Sequence, residues 1–206
     1  MSGCLLVPKN TSAAYQPGVP DAQRVVVVLR CPGADEMALC RPAVGATGAH
    51  LCRVFHALRC LNAPKYNHLC LRRISIVNVA KEEVRSGRLL SAKLIENEKL
   101  RQIVRQTSGK RIFLLCGEDA CRAFALFDKH DLIGNCVLKM CHMGQMGLNK
   151  LKLQGGYDKF QVLAKYIDTC NGRNGWYGWE SLQKAAESLN CTLNWQGMKV
   201  PDWIVE

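Results

Sequence analysis

Side chains able to do chemistry fall at four points along the chain, each just after an apolar run. Cys31-Pro32-Gly33-Ala34-Asp35-Glu36 follows Val25-Val26-Val27-Val28-Leu29, so two adjacent carboxylates and a thiol share a Pro/Gly loop. Asn78 closes the run Ile74-Ser75-Ile76-Val77, with basic Lys81 just beyond. Gly117-Glu118-Asp119 follows a third run, and His142 follows a fourth. Carboxylates, an amide that both donates and accepts, and an imidazole are groups suited to handling a polar ligand.

The elements that must position these groups alternate. Residues 24–29, 74–79, 111–116 and 136–141 read as strands, the first of them apolar on both faces and so buried on both. Residues 46–61 carry Leu51, Val54, Phe55 and Leu58 at helical spacing. Helices are also expected over 89–106, 117–127, 157–170 and 180–189, with Ser108-Gly109 stopping the second. Strands that alternate with helices imply an α/β fold, a three-layer α/β/α sandwich around a four-stranded, mostly parallel sheet. In such a sheet the ligand sits beyond the carboxyl ends of the strands, where all four groups fall. Residues 1–23, polar with Lys9, Pro17 and Pro20, read as an arm over the surface, and 24–206 as a single domain. Residues 171–175 read as a turn, and the tail with Trp195 and Trp203 is expected to pack on the core.

Composition narrows the partners. The 206 residues hold 28 Lys+Arg against 17 Asp+Glu, a net charge of +11. A basic domain of this size points to a polyanion, with nucleic acid first and a membrane surface second. No apolar run approaches the ~20 residues that span a bilayer, and no export signal is visible, which implies a cytoplasmic protein that meets no membrane. Twelve cysteines in a chain with a full core read as small buried thiols, Cys52, Cys60, Cys116, Cys121, Cys141 and Cys170 among them. Cys116/Cys121 and Cys136/Cys141 lack the spacing of a metal site, so no metal or cofactor is expected.

Beyond these patterns, the motifs resemble those of the uracil-DNA glycosylase superfamily, and of family 4 most of all. Pro32-Gly33 with Glu36, then Arg41-Pro42-x-Val44-Gly45-x-x-Gly48-x-x-Leu51, is similar to that family's GEAPG-x-x-E and RPFVG-x-AG-x-L. Asn78-Val79-Ala80-Lys81 resembles its N-V-V-K strand end, and Leu115 to Ala120 its L-G-x-x-A turn. His142-Met143-Gly144-Gln145-Met146-Gly147-Leu148-Asn149-Lys150 is similar to the superfamily's HPS loop. The match spans residues 25–150 in order.

The resemblance implies a DNA glycosylase that flips a base and hydrolyses its N-glycosidic bond to leave an abasic site, acting on DNA as a monomer. Asp35 or Glu36 would orient water and stabilise the cationic sugar, and His142 would donate to the departing base. Cys31, Pro32, Gly33, Ala43 and Asn78 would line the base, with the Asn78 amide reading its edge. Met143, Met146 and Leu148 would fill the gap left by the flipped base. Arg41, Lys81, Gln145, Asn149 and Lys150 would meet the DNA strand. Plainer roles stand beside these: a strand cap for Asn78, a loop histidine for His142, core packing for the Met/Leu residues, and a helix N-terminal cap for Asp35-Glu36.

Departures shape the substrate. Arg30 stands where family 4 has an acid, Cys31 where sister families have Asp or Asn, and Ala43 where an aromatic stacks on uracil. Met143 and Gly144 replace the Pro and Ser of HPS, and the four cysteines of the family's iron–sulfur cluster are missing. Loss of a stacking ring, worth ~1–3 kcal/mol per base, leaves volume. It therefore implies a bulkier pyrimidine, such as the glucosylated hydroxymethylcytosine of phage DNA, and a role in antiviral defence. Ordinary uracil excision in repair, and a catalytically inactive DNA-binding module, are the alternatives.

Overall fold

The computed structural model describes residues 10–19, 24–84, 90, 98–105, 111–127 and 129–195. Strand β1 is Tyr15–Gln16 and β2 is Val25–Leu29, followed by helix α1 (Ala34–Ala38). Helices α2 (Ala46–Leu61) and α3 (Ala63–Tyr66) lead to β3 (Ser75–Asn78). Helix α4 (Glu98–Arg105) precedes β4 (Ile112–Cys116), α5 (Glu118–Phe124) and β5 (Cys136–Met140). Then come α6 (Gln145–Asn149), β6 (Leu151–Gln154), α7 (Lys159–Cys170), β7 (Gly175–Tyr177), α8 (Trp179–Glu187) and β8 (Thr192–Trp195).

The main sheet has six strands in the order β1-β3-β2-β4-β5-β7. β3, β2, β4, β5 and β7 run parallel, and β1 adds antiparallel to β3 through Tyr15↔Val77 and Gln16↔Ile76. The four expected strands are the middle of this sheet, so the expected count is corrected from four to six. Both additions are short. β1 is held less by its two residues than by the buried Gln16 amide, which donates to the Leu71 and Ile74 carbonyls at 2.8 and 2.9 Å. β7 begins at Gly175, within what reads as a turn, at φ +123°, a conformation that side chains avoid. β6 and β8 form a separate antiparallel ladder.

Alternation along the strands divides the core in two. Val25, Val27 and Leu29, with Ile76, Leu114 and Leu138, pack against α2, α7 and α8. Val26, Val28, Val77, Phe113 and Leu115 face the other way, against α4 and α5. Every residue of β2 and β4 is buried, and each such side chain stabilises the fold by ~1.5–3 kcal/mol over its exposed state. Helices thus cover both faces of the sheet.

Helix α7 starts where its sequence says it should: Asp158 accepts from the Phe160 and Gln161 N–H groups at 2.9 Å each, and the Gln161 side chain returns to the Asp158 N–H. Residues 89–97 and 106, within the long helix expected over 89–106, lie outside the described residues, Leu90 excepted, as does Trp203. Burial pushes Cys121, Cys136 and Cys141 up to about 12 and Cys116 well above its ordinary value, which leaves these thiols inert. Cys52 and Cys60 are exposed, contrary to expectation, because they lie on the outer face of α2. Cys70 is disulfide-bonded and not the thiol expected.

Candidate active-site cleft

From β2 the chain passes to β3 on one side, and β4 then returns to the other side of β2. This reversal leaves a crevice at the carboxyl ends of the strands, where α/β sheets place ligands. A cleft of about 350 Å3 lies there, lined by the loop from Arg30 to Glu36, by Gly45 to Thr47, by Glu83 and Val84, and by His142.

Its first wall is built around Glu36. Gly33 caps α1 and, with Pro32 before it, turns the chain out of β2. The buried Glu36 side chain reaches back, one oxygen accepting from the Gly33 N–H at 2.6 Å and the other from the Ala43 N–H. The Val44 N–H also bonds to this carboxylate. One side chain therefore clamps two loops together. Burial raises the Glu36 pKa; the three backbone bonds oppose that and the neighbouring Asp35 charge adds to it. Ala43 is held at φ +54° beneath the clamp, a backbone state that disfavours side chains by ~1–3 kcal/mol. Gly48 lies so close that a Cβ there would come within 1.7 Å of the Ala43 carbonyl oxygen. Asp35, by contrast, is exposed and faces the cleft.

The opposite wall is His142. The Gly144 N–H donates to its Nδ1 at 3.0 Å, so the neutral ring carries its proton on Nε2. Glycines surround it: a Cβ at Gly117 would sit 3.3 Å from the ring, one at Gly144 2.9 Å from Nδ1, and one at Gly147 2.1 Å from the His142 carbonyl oxygen. The loop is tied from outside as well, His50 Nδ1 bonding the Met143 carbonyl at 2.7 Å and Lys159 the Leu148 carbonyl at 2.8 Å. Although His142 presents surface to solvent, the cleft desolvates its ring and lowers its pKa; the Arg30 charge adds to this and Asp119 partly offsets it.

Arg30 is itself fixed, bonding Asp119 at 3.0 Å. Asp119 is buried at the start of α5 and also accepts from Arg122 at 3.1 Å and from the Leu90 N–H at 3.0 Å. The residue standing where an acid was expected is therefore a braced cation in the cleft wall.

The cleft brings together Cys31, Pro32, Gly33, Asp35, Glu36 and His142. It does not include the rest of the expected set. Ala43 is buried in the core below α2, so its small side chain opens no room in the cleft. Asn78 is fully buried and its amide donates to the Ala13 carbonyl at 3.0 Å, where it anchors the segment before β1. Met143 and Leu148 are core residues, while Met146 on the same loop is 83% exposed. Gln145, Asn149, Lys150 and Lys81 are exposed and Arg41 is half-buried, none of them in the cleft wall. Thr47, Glu83 and Val84 were missed. Glu83 carried a signal, as the second acid two residues past Lys81 at a strand's carboxyl end.

Among the described residues no group of three His, Cys, Asp or Glu could hold a metal ion, and no helix is long and apolar enough to cross a membrane. No family model matches the chain, and no curated protein does. The chemistry the cleft offers follows from its own geometry: an imidazole donor with a fixed tautomer, an accessible carboxylate and a cation braced by Asp119.

Proposed function

We propose that the chain is a DNA glycosylase with the architecture of the uracil-DNA glycosylase superfamily, which turns a nucleotide into the cleft and hydrolyses its N-glycosidic bond. The observation that carries this is His142, a neutral imidazole whose Nδ1 is occupied by a backbone N–H and whose remaining donor is Nε2–H. Such a donor suits the carbonyl of a departing base, where negative charge builds up. Arg30 disfavours protonation of the ring and adds positive charge to the same wall. Asp35, accessible in the cleft, orients the water and faces the developing sugar cation, while Glu36 holds the loop that presents it.

Met146, the exposed apolar side chain of the loop after His142, fills the gap in the stack. Arg41, Lys81 and Lys150 meet phosphates, in keeping with the net charge of +11. The base is a bulky modified pyrimidine, such as glucosylated hydroxymethylcytosine, and the enzyme serves in defence against phage. Support for bulk comes from the cleft volume of about 350 Å3, within the ~300–1,000 Å3 typical of drug-sized ligands. It does not come from Ala43.

Incubation with uracil-containing DNA and with glucosylated phage DNA, followed by alkali, tests both class and base. Strand breaks on the glucosylated DNA are expected, with mass spectrometry identifying the released base. Breaks on uracil DNA alone overturn the bulky-base assignment in favour of ordinary uracil repair. The occupied carboxylate of Glu36 favours one other reading, an inactive DNA-binding module; DNA binding without base release on any substrate would establish it.

A further inference from the structure

On the outer face of α2, a groove of about 610 Å3 runs between this helix and the start of α7. No residue lines both it and the cleft. Ala57, Leu61, Tyr157, Phe160 and Leu189 make its walls mostly apolar, and Leu61 and Tyr157 stay exposed to solvent. Arg53 lies over the Phe160 ring, 4.1 Å from its centroid, and adds its stem to the same wall. Residues four apart on a helix share a face, and His56 and Cys60 use that spacing to meet in this groove.

The Cys60 Sγ lies 3.7 Å from His56 Nε2, and both side chains are exposed. A thiol in contact with an imidazole is a nucleophile beside its base. The other accessible thiols are placed differently. Cys40 Sγ donates to the Met37 carbonyl at 3.7 Å and Cys31 Sγ to the Val84 carbonyl at 3.9 Å, contacts that keep the proton on sulfur. Cys52 also lines the groove, but burial pushes its thiol up, against the opposing charges of Arg59 and Arg72. Cys52 and Cys60 are two turns apart, ~12 Å along the helix axis, beyond the ~7 Å that a disulfide can bridge. Among the described residues no third ligand turns the Cys–His pair into a metal site.

We propose that the groove is a modification site at which Cys60, with His56 as its base, adds to an apolar enone, a ketone conjugated to a carbon–carbon double bond. The thiol proton passes to His56 Nε2 as Sγ bonds the β-carbon of the enone. The electron pair of the double bond moves through the α-carbon to the carbonyl oxygen, and the imidazolium then returns the proton to the α-carbon. The product is a saturated ketone joined through a thioether, with nothing released and nothing oxidised. Acyl transfer is disfavoured here, because the N–H groups around Cys60 are spent within α2 and none is left for an oxyanion. A hydrocarbon tail on the enone lies along Ala57, Leu61 and Phe160, and its removal from water drives binding. The site does not depend on whether the cleft releases a base.

Treating the full chain with pentyl vinyl ketone and, separately, with methyl vinyl ketone compares the same reacting carbons with and without a tail. Each rate is taken relative to that of free cysteine. Peptide mapping by mass spectrometry should place the first adduct on Cys60, with the pentyl reagent ~tenfold faster there. His56→Gln should slow addition at Cys60 by ~10²-fold. Leu61→Gln, at an exposed position, should melt like the parent, slow the pentyl reagent and leave the methyl reagent unchanged. Earlier labelling of Cys31, Cys40 or Cys52, or an unaltered rate in His56→Gln, would overturn the proposal. So would equal relative rates for the two ketones, or a pentyl reagent indifferent to Leu61→Gln.

Discussion

The Glu36 carboxylate accepts from the Ala43 backbone N–H with one oxygen and from the Gly33 N–H with the other, so the two sides of the first loop are held by a single side chain. In Glu36→Gln one acceptor becomes an NH2 group facing an N–H donor. The loss should be about 2 kcal/mol, or ~4–8 °C in Tm. Thermal unfolding that matches the parent would show that the clamp is dispensable. Base release in this variant should fall in step with loop order, and less than in a variant of the water-orienting acid.

In the proposed reaction that acid is Asp35, which is exposed and unburdened by the core. Asp35→Asn should lower single-turnover base release by ~10²–10⁴ while Tm moves by only ~1–2 °C. Equal turnover in parent and variant would remove Asp35 from the mechanism and point to Glu83, the other acid in the cleft wall.

His142 supplies the pH dependence. Its pKa lies below the ordinary 6.5 in the folded chain, so the unfolded chain takes up the proton first. Its contribution to stability is present above pH 6.5 and is lost as the pH falls through the folded value. Activity should follow the same window, holding at pH 6.5 and failing only in more acid solution, where the ring nitrogen that accepts from Gly144 becomes a donor. Arg30→Gln removes one cause of the shift and should move the acid limb of the rate profile upward. A limb at or above pH 7 in the parent would contradict a neutral, desolvated ring.

The Met/Leu loop separates packing from contact. Met143→Ala and Leu148→Ala, at fully buried positions, should each destabilise by ~2–5 kcal/mol. Met146→Ala should leave stability within ~0.5 kcal/mol and reduce release from duplex DNA about tenfold, with single-stranded substrate unaffected, since only a duplex leaves a gap to fill. Parallel melts and assays on the three variants decide it.

Much of the fold was legible because its four central strands are short, predominantly apolar and followed by turn chemistry, and their carboxyl ends mark the cleft without any structure. What pattern could not reveal was direction. Asp35 and Glu36 are adjacent acids, yet α1 turns one outward and buries the other. Met143, Met146 and Leu148 look alike in composition, but Met143 is buried just before a five-residue helix that then turns Leu148 into the core and Met146 into solvent. Asn78 ends its strand as expected, and its amide is taken by a carbonyl 65 residues earlier, a partner that no local window contains. β1, β7 and the β6–β8 ladder escaped because two to four residues make no period.

The contact of Gly48 with the Ala43 carbonyl also bears on redesign. With room for nothing beyond a hydrogen at Gly48, the spacing between α2 and the first loop is set by main chain alone and cannot be tuned by exchanging side chains there. A change in the shape of the cleft therefore has to come from side chains that face it elsewhere, such as Cys31, Thr47 or Val84.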